Sequence, residues 1–203
     1  MKQNEMPKGK KGAISALRAA TIVIAGASTL LSSGTAYAAG SYFVPNKGQV
    51  SAPPGARALC KTYQWACSSS RKQAAIPGEM QLVSKINSYV NRTTKPIEDS
   101  RQYGVKERWA MPTRRGGDCE DYVLAKKHAL IGRGISPQRL LIATVLDRKR
   151  NSHAVLVYRS AQGDLILDNV TNRIKTWKDT RYLFLRMQDP NNPAHWVNVF
   201  SGG

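Results

Sequence analysis

Cys119 lies in Arg115-Gly116-Gly117-Asp118-Cys119-Glu120-Asp121-Tyr122, where a glycine turn runs into a helical pattern. A cysteine attacks only as its thiolate. The free N–H groups at a helix start favour that negative charge. Such a nucleophile also needs a base, and the base needs an orienting group. Of the three histidines, His153 alone opens an apolar strand pattern, His153-Ala154-Val155-Leu156-Val157-Tyr158. Asp168 follows in Leu165-Ile166-Leu167-Asp168-Asn169. If the two runs form a hairpin across Ser160-Ala161, residues whose numbers sum to about 321 face each other, and His153 meets Asp168 as a cross-strand pair. Each residue also has a plainer reading. His153 could be a strand-end histidine, and Asp168 could cap a turn with Asn169. Asp118 reads as a helix N-cap, with Asp121 at the third helical position completing a capping box. His128 falls on a helix among lysines, and His195 follows Asn191-Asn192-Pro193 in a loop.

The elements that must hold these residues follow from periodicity. After Pro77, Leu82, Val83, Ile86, Tyr89 and Val90 fall on one helical face. Asn91 to Trp109 is polar and broken by Pro96 and Gly104, and Trp109-Ala110-Met111-Pro112 marks a loop that can lie across a site. A second helix runs from Cys119 to about Ile131 and ends at Gly132 or Gly134. The period then changes. Leu140–Leu146, His153–Tyr158, Leu165–Val170, Tyr182–Met187 and Trp196–Phe200 read as strands. Helices first and antiparallel strands afterwards indicate an α+β domain.

The first residues have the form of a secretory signal: a basic stretch through Arg18, an uncharged run from Ala19 to Leu31, and an Ala36-Tyr37-Ala38 cleavage site. The uncharged run is shorter than the roughly 20 residues that span a bilayer. The reading divides the chain into a signal peptide over 1–38, an extended segment over 39–75 and a catalytic domain over 76–203, periplasmic or secreted, not membrane-spanning after cleavage. The full chain carries 31 basic and 13 acidic residues, a net charge of +18. Without the signal's five basic and one acidic residue the balance is +14. That favours anionic partners, but without a basic-aromatic motif it excludes nucleic acid as a target. An oxidising compartment lets Cys60 and Cys67 form a local disulfide. A metal site there lacks a second ligand pair. Pairing the two leaves Cys119 over, and its acidic neighbours are poor company for a buried apolar thiol.

Gly117-Asp118-Cys119-Glu120-Asp121-Tyr122, then Ala125-Lys126 and Leu130, His153-Ala154-Val155-Leu156 and Leu167-Asp168-Asn169, resemble the bacterial transglutaminase-like cysteine proteinases, the family of the LapG-like periplasmic proteases. The resemblance spans roughly residues 75 to 190. It implies a papain-like or transglutaminase-like core, with the nucleophile helix packed on an antiparallel sheet. It implies a Cys119, His153, Asp168 triad acting through an acyl-enzyme on a peptide bond of a periplasmic or surface protein. The oxyanion donors would be the Cys119 N–H and an upstream group, Gln102 or Trp109. The family's adhesin proteases bind calcium beside the nucleophile, and the matching positions here are Asp118 and Glu120, with Asp121 as a further candidate; no organic cofactor is implied. Carboxylates so close would raise the thiol's pKa, and a Ca²⁺ ion would cancel their field. The plainer reading is that these acids cap the helix or pair with Arg114 and Arg115. An inhibitory membrane receptor is a partner the resemblance suggests. Two other functions share the sequence: a transglutaminase-type acyl transferase using the same triad, and a non-catalytic binding module that attaches to the cell envelope through its basic surface.

Overall fold

The apolar runs from Leu140 onward pair into one antiparallel sheet, and the helices that precede them cover one of its faces. The computed structural model describes residues 42–69 and 76–202, all within one compact unit, Ala39–Gly203. The expected signal segment lies outside the described residues, as do 70–75. The strands are β1 (Gln49–Val50), β2 (Leu140–Leu146), β3 (Ser152–Ser160), β4 (Gly163–Leu167), β5 (Lys175–Thr176), β6 (Leu183–Gln188) and β7 (Trp196–Gly202). They lie in the order β1-β7-β6-β2-β3-β4-β5. The helices are α1 (Leu59–Thr62), α2 (Glu79–Thr93), α3 (Asp99–Gln102) and α4 (Cys119–Ile131). The α+β class and both long helices stand as expected; α1, α3, β1 and β5 are too short to give a periodic signal.

The central strand β2 explains why its sequence does not alternate. Leu140 and Ile142 enter the core beneath the helices with Leu124, Leu130 and Leu156. Leu141, Ala143 and Val145 enter a second core on the opposite face with Val155, Val157, Phe184 and Trp177. A strand covered on both faces needs apolar residues at every position. α2 buries Val83, Ile86 and Val90, but Tyr89 is 53% exposed and so leaves the apolar face assigned to it. α4 is buried almost all round, lysines included.

Within the stretch expected to be extended, Gln49–Val50 forms an edge strand of the sheet. β1 pairs with β7 through Gln49 with Val197 and Val50 with Trp196. Cys60 and Cys67 are disulfide-bonded. Gln188 ties their loop to β6, donating to the Ala66 carbonyl at 3.1 Å.

One expectation of register is wrong. β3 and β4 pair as Leu156 with Leu167 and Arg159 with Asp164, so facing residues sum to 323. The turn is centred on Ala161-Gln162, and Ser160 faces Gly163 directly. Gly163 takes φ +139°, and a Cβ there would lie 2.7 Å from the Tyr42 carbonyl oxygen, which fixes the hairpin's end. Asp168 therefore lies beyond the last ladder pair and meets His153 on a diagonal, not directly across.

Candidate active site

The turn before Cys119 is clamped to the chain that follows α2. Gly117 N–H donates to the Lys95 carbonyl at 3.0 Å, and Ile97 N–H donates to the Gly117 carbonyl at 3.1 Å. Gly116 sits at φ +126°, with space for a Cβ only 1.9 Å from the Lys95 oxygen. Only glycine fits this conformation and this approach. The clamp starts α4 at Cys119, against β3.

The Cys119 thiol is half-buried and donates to Glu120 Oε2 at 3.2 Å. Burial pushes its pKa far up, and the Glu120 charge pushes it further. The Ala154 N–H, one residue beyond His153 on β3, works against both by hydrogen-bonding the sulfur. Cys119 and His153 line the same cleft of about 420 Å³, with Trp109, Pro54, Ala154 and Arg186. A larger depression of about 640 Å³ between α2 and α4 holds none of these groups, so chemistry marks the site and volume does not.

His153 Nε2 lies 3.0 Å from Asp168 Oδ1. That engagement leaves Nδ1 as the ring nitrogen not committed to the carboxylate. Asp168 Oδ1 also accepts the Val170 N–H at 3.0 Å, so the turn-capping role and the orienting role coexist. The Tyr182 hydroxyl donates to Asp168 Oδ2 at 2.7 Å, and the His153 and Tyr182 rings meet edge-on at 5.8 Å. Burial alone would raise the Asp168 pKa. The His153 hydrogen bond and charge outweigh it, with help from Tyr182 and Val170, and hold the carboxyl below its ordinary value. Tyr182 carries no signal of this role in the sequence, because a strand-end tyrosine next to apolar residues reads as core.

The acids form a different set from the expected one. Oxygens of Asp99, Asp118 and Glu120 lie within 4.8 Å of one another. Asp121 Oδ1 instead accepts the Ala110 N–H at 3.0 Å. Asp99, from α3, is 2% exposed and accepts the Arg108 N–H; nothing in its local sequence marks it, since the approach that brings it to Asp118 and Glu120 is a tertiary contact. The Asp118 side chain makes no cap bond to α4 and accepts the Asp99 N–H at 3.3 Å, so the capping box does not form. Arg115 does not neutralise the acids. Its guanidinium lies on the carbonyls of Arg101 and Gln102. Asp99 Oδ1, Asp118 Oδ1 and Glu120 Oε1 are buried without a hydrogen-bond partner among the described residues. Burial raises all three pKa values, Glu120 to about 9 with the Asp118 charge as the second cause. Asp121 rises to about 7, again chiefly by burial.

Of the two upstream oxyanion candidates, Gln102 accepts the Thr113 hydroxyl at 3.0 Å and donates to the Gly116 carbonyl at 3.4 Å. It is a loop brace, and only Trp109 borders the cleft. His128 is exposed and packs against Trp65, ring centroids 4.8 Å apart and planes tilted by 54°. The arrangement contains a thiol, an imidazole held by an ionised carboxylate, and a set of hard oxygen donors beside them. Such a constellation suits acyl transfer from an amide.

A family model described as bacterial transglutaminase-like cysteine proteinase matches residues 46–202. No curated protein matches the chain. Among solved structures, calcium-bound LapG of Legionella pneumophila is similar with a TM-score of 0.51 and 20% identity, over 61% of this chain and 71% of that one. The EGTA-treated form of the same protein gives 0.46 and 22% over 54% and 62%. At these identities the likeness concerns the fold.

Proposed function

The chain belongs to the bacterial transglutaminase-like cysteine proteinases, and from that premise we propose that it is an exported peptidase cleaving a protein of the periplasm or cell surface with Cys119, His153 and Asp168. The enzyme class, a transglutaminase-like cysteine protease acting on protein, comes with the family. The observation that carries the residue assignment is the chain Tyr182–Asp168–His153, joined at 2.7 and 3.0 Å and opening on the cleft that holds Cys119.

His153 takes the thiol proton, and the Cys119 sulfur forms a bond to the scissile carbonyl carbon. As the tetrahedral species collapses, the C–N bond breaks and the imidazolium protonates the leaving amine. His153 then takes a proton from water, whose oxygen adds to the acyl carbon; the C–S bond breaks, the imidazolium returns the proton to the Cys119 sulfur, and the product leaves as its carboxylic acid, which ionises in solution. Asp168 holds the ring by Nε2 and stabilises its charge throughout. The Cys119 N–H is the proposed oxyanion donor; the Trp109 indole N–H, the upstream candidate at the cleft, is engaged by Glu107 Oε2 at 3.3 Å and would have to leave it to serve.

Asp99, Asp118 and Glu120 fit a calcium ion: their unpartnered buried oxygens are hard donors, and no cation among the described residues forms an ion pair with them. A bound ion supplies positive charge that offsets the acids next to the nucleophile. The Cys119–Glu120 hydrogen bond marks how directly this chain's carboxylate competes for the thiol.

The test compares exported and surface proteins of cells carrying wild-type protein or Cys119→Ala by mass spectrometry of chain termini. New termini that depend on Cys119 support the peptidase. Crosslinked chains would make it an acyl transferase, and full biological activity of Cys119→Ala would make it a binding module.

A further inference from the structure

Gly55 stands in the single helical turn Pro54–Ala56 and is not at positive φ. Its backbone would therefore accept an L side chain, and glycine inside a helical turn costs stability relative to alanine. What excludes a side chain here is contact. A Cβ at this position would lie 2.5 Å from Nε1 and 2.6 Å from Cδ1 of Trp109, and 3.1 Å from Glu107 Oε2. Glycine lets the chain lie directly on the edge of the indole, the same edge whose N–H donates to Glu107 Oε2 at 3.3 Å. Pro53, Pro54, Gly55 and Trp109 all border the cleft that holds Cys119 and His153.

The segment that carries Gly55 is anchored on both sides. Upstream, Gln49 and Val50 pair with β7, and Arg186 Nη1 on β6 donates to the Ser51 carbonyl at 3.0 Å. Downstream, Ala56 and Leu59 enter the core beneath the helices, and the Cys60–Cys67 disulfide follows. Within the disulfide loop, the Tyr63 hydroxyl oxygen accepts the Met111 N–H at 3.0 Å, two residues beyond Trp109. The Trp109 indole also meets Trp196 edge-on, ring centroids 6.1 Å apart, and Trp196 is the residue that Val50 faces. The chain ahead of α2 thus touches the 109–111 loop at two points, at Gly55 and at Tyr63. A segment pinned at both ends resists displacement when the indole presses on it.

We propose that residues 51–55 form a wall of the substrate cleft, and that Gly55 is a positioning residue that, through Trp109, sets the width of the cleft beside Cys119 and so the bulk of the substrate residues admitted there. The inference rests on the reading of Cys119 as the nucleophile. A misplacement of about 1 Å at a wall that positions the reacting chain is felt in the rate. The close approach at Gly55 leaves no slack to absorb such a shift, because an added methyl group in a packed contact must displace its neighbour.

The test is labelling of Cys119, the chain's one cysteine outside the disulfide, with iodoacetamide and with the much bulkier fluorescein maleimide, in wild type, Gly55→Ala, Trp109→Ala and the double variant. The readout is the ratio of the two rates, in which a general change of thiol reactivity cancels. Trp109→Ala should raise the relative rate of the bulky reagent about threefold or more. Gly55→Ala should shift the ratio by about the same factor in the wild-type background, and leave it unchanged where residue 109 is already alanine. A folded Gly55→Ala with the wild-type ratio overturns the inference. So does a shift of equal size in both backgrounds, the mark of a disturbance that does not pass through Trp109. If Gly55→Ala does not fold, Trp109→Ala and Tyr63→Phe decide the matter. The second frees the Met111 N–H without adding an atom and should also shift the ratio; wild-type ratios in both overturn the wall. His153→Ala separates this inference from the triad reading. An iodoacetamide rate equal to wild type removes His153 as the base, while the ratio of the two reagents still reports the wall.

Discussion

Tyr182 contributes a hydrogen bond to the carboxylate that also bonds His153, and a hydrogen bond to a charged group contributes about 1.5–3 kcal/mol. Asp168 is held below its ordinary pKa in the folded protein, chiefly by His153 against the opposing effect of burial. Its contribution to stability is therefore present above its unfolded pKa of about 3.9 and is lost as pH falls through the lower folded value. Tyr182→Phe removes one of the donors that depress that value. Its acid-unfolding midpoint, followed by circular dichroism, should move to higher pH, and iodoacetamide labelling of Cys119 should slow about threefold to tenfold. Lys126 has the opposite linkage. Its pKa falls from 10.5 to about 7 through burial, so the full cost of burying it applies below about pH 7 and disappears above 10.5. Lys126→Met should therefore melt a few degrees higher than wild type at pH 7, at about 2–4 °C per kcal/mol, with the difference vanishing at strongly alkaline pH. Equal melting temperatures at both pH values would remove the claim that this charge is costly.

At the scale of elements, the clamp between Gly116-Gly117 and Lys95 sets where α4 begins. Gly116→Ala places a methyl group on the Lys95 carbonyl oxygen at a φ that L-residues rarely adopt. Thermal unfolding should show a loss above about 2 kcal/mol, and Cys119 labelling should change because the helix start has moved. The disulfide loop supports the other end of α4 through Trp65 on His128. Cys60 and Cys67 close a loop of sequence separation 7, for which chain entropy gives about 2.5 kcal/mol. Reducing this bond, or replacing both cysteines by serine, should lower stability by about that amount in denaturant titration. At this scale, the strands and the two long helices were legible in apolar periodicity. The hairpin register was not, because it depends on the Ala161-Gln162 turn and on Gly163 packing against Tyr42, a contact more than a hundred residues apart in sequence.

For the molecule as a whole, calcium binding would couple α3, the glycine turn and α4 into one folding unit, because Asp99 comes from α3 and Asp118 and Glu120 from the start of α4. A ligand that binds only the folded state raises its stability by RT ln(1 + [L]/Kd). Added calcium should raise the melting temperature of chelator-treated protein, and the rise should grow with calcium concentration. Asp99→Asn should abolish that rise, whereas Asp121→Asn should keep it, since the converging oxygens belong to Asp99, Asp118 and Glu120. A calcium response retained by Asp99→Asn and lost by Asp121→Asn would restore the sequence-based ligand set. The chain is strongly basic, and Lys106 and Arg186 border the cleft, yet the acids gather without an ion-paired cation among the described residues.

The sequence by itself determined the setting of Cys119, the strand carrying His153, the order of helices before strands and the pairing of the two other cysteines. Each of these is written in local pattern: a glycine turn, a run of apolar residues, a short spacing. Tertiary structure alone decided that Asp99 joins Asp118 and Glu120 while Asp121 bonds the Ala110 N–H, that Tyr182 bonds Asp168, and that a lysine is buried without a bonding partner among the described residues. Those outcomes depend on which distant backbones approach one another, and a polar side chain's partner is set by that approach rather than by its neighbours in the chain.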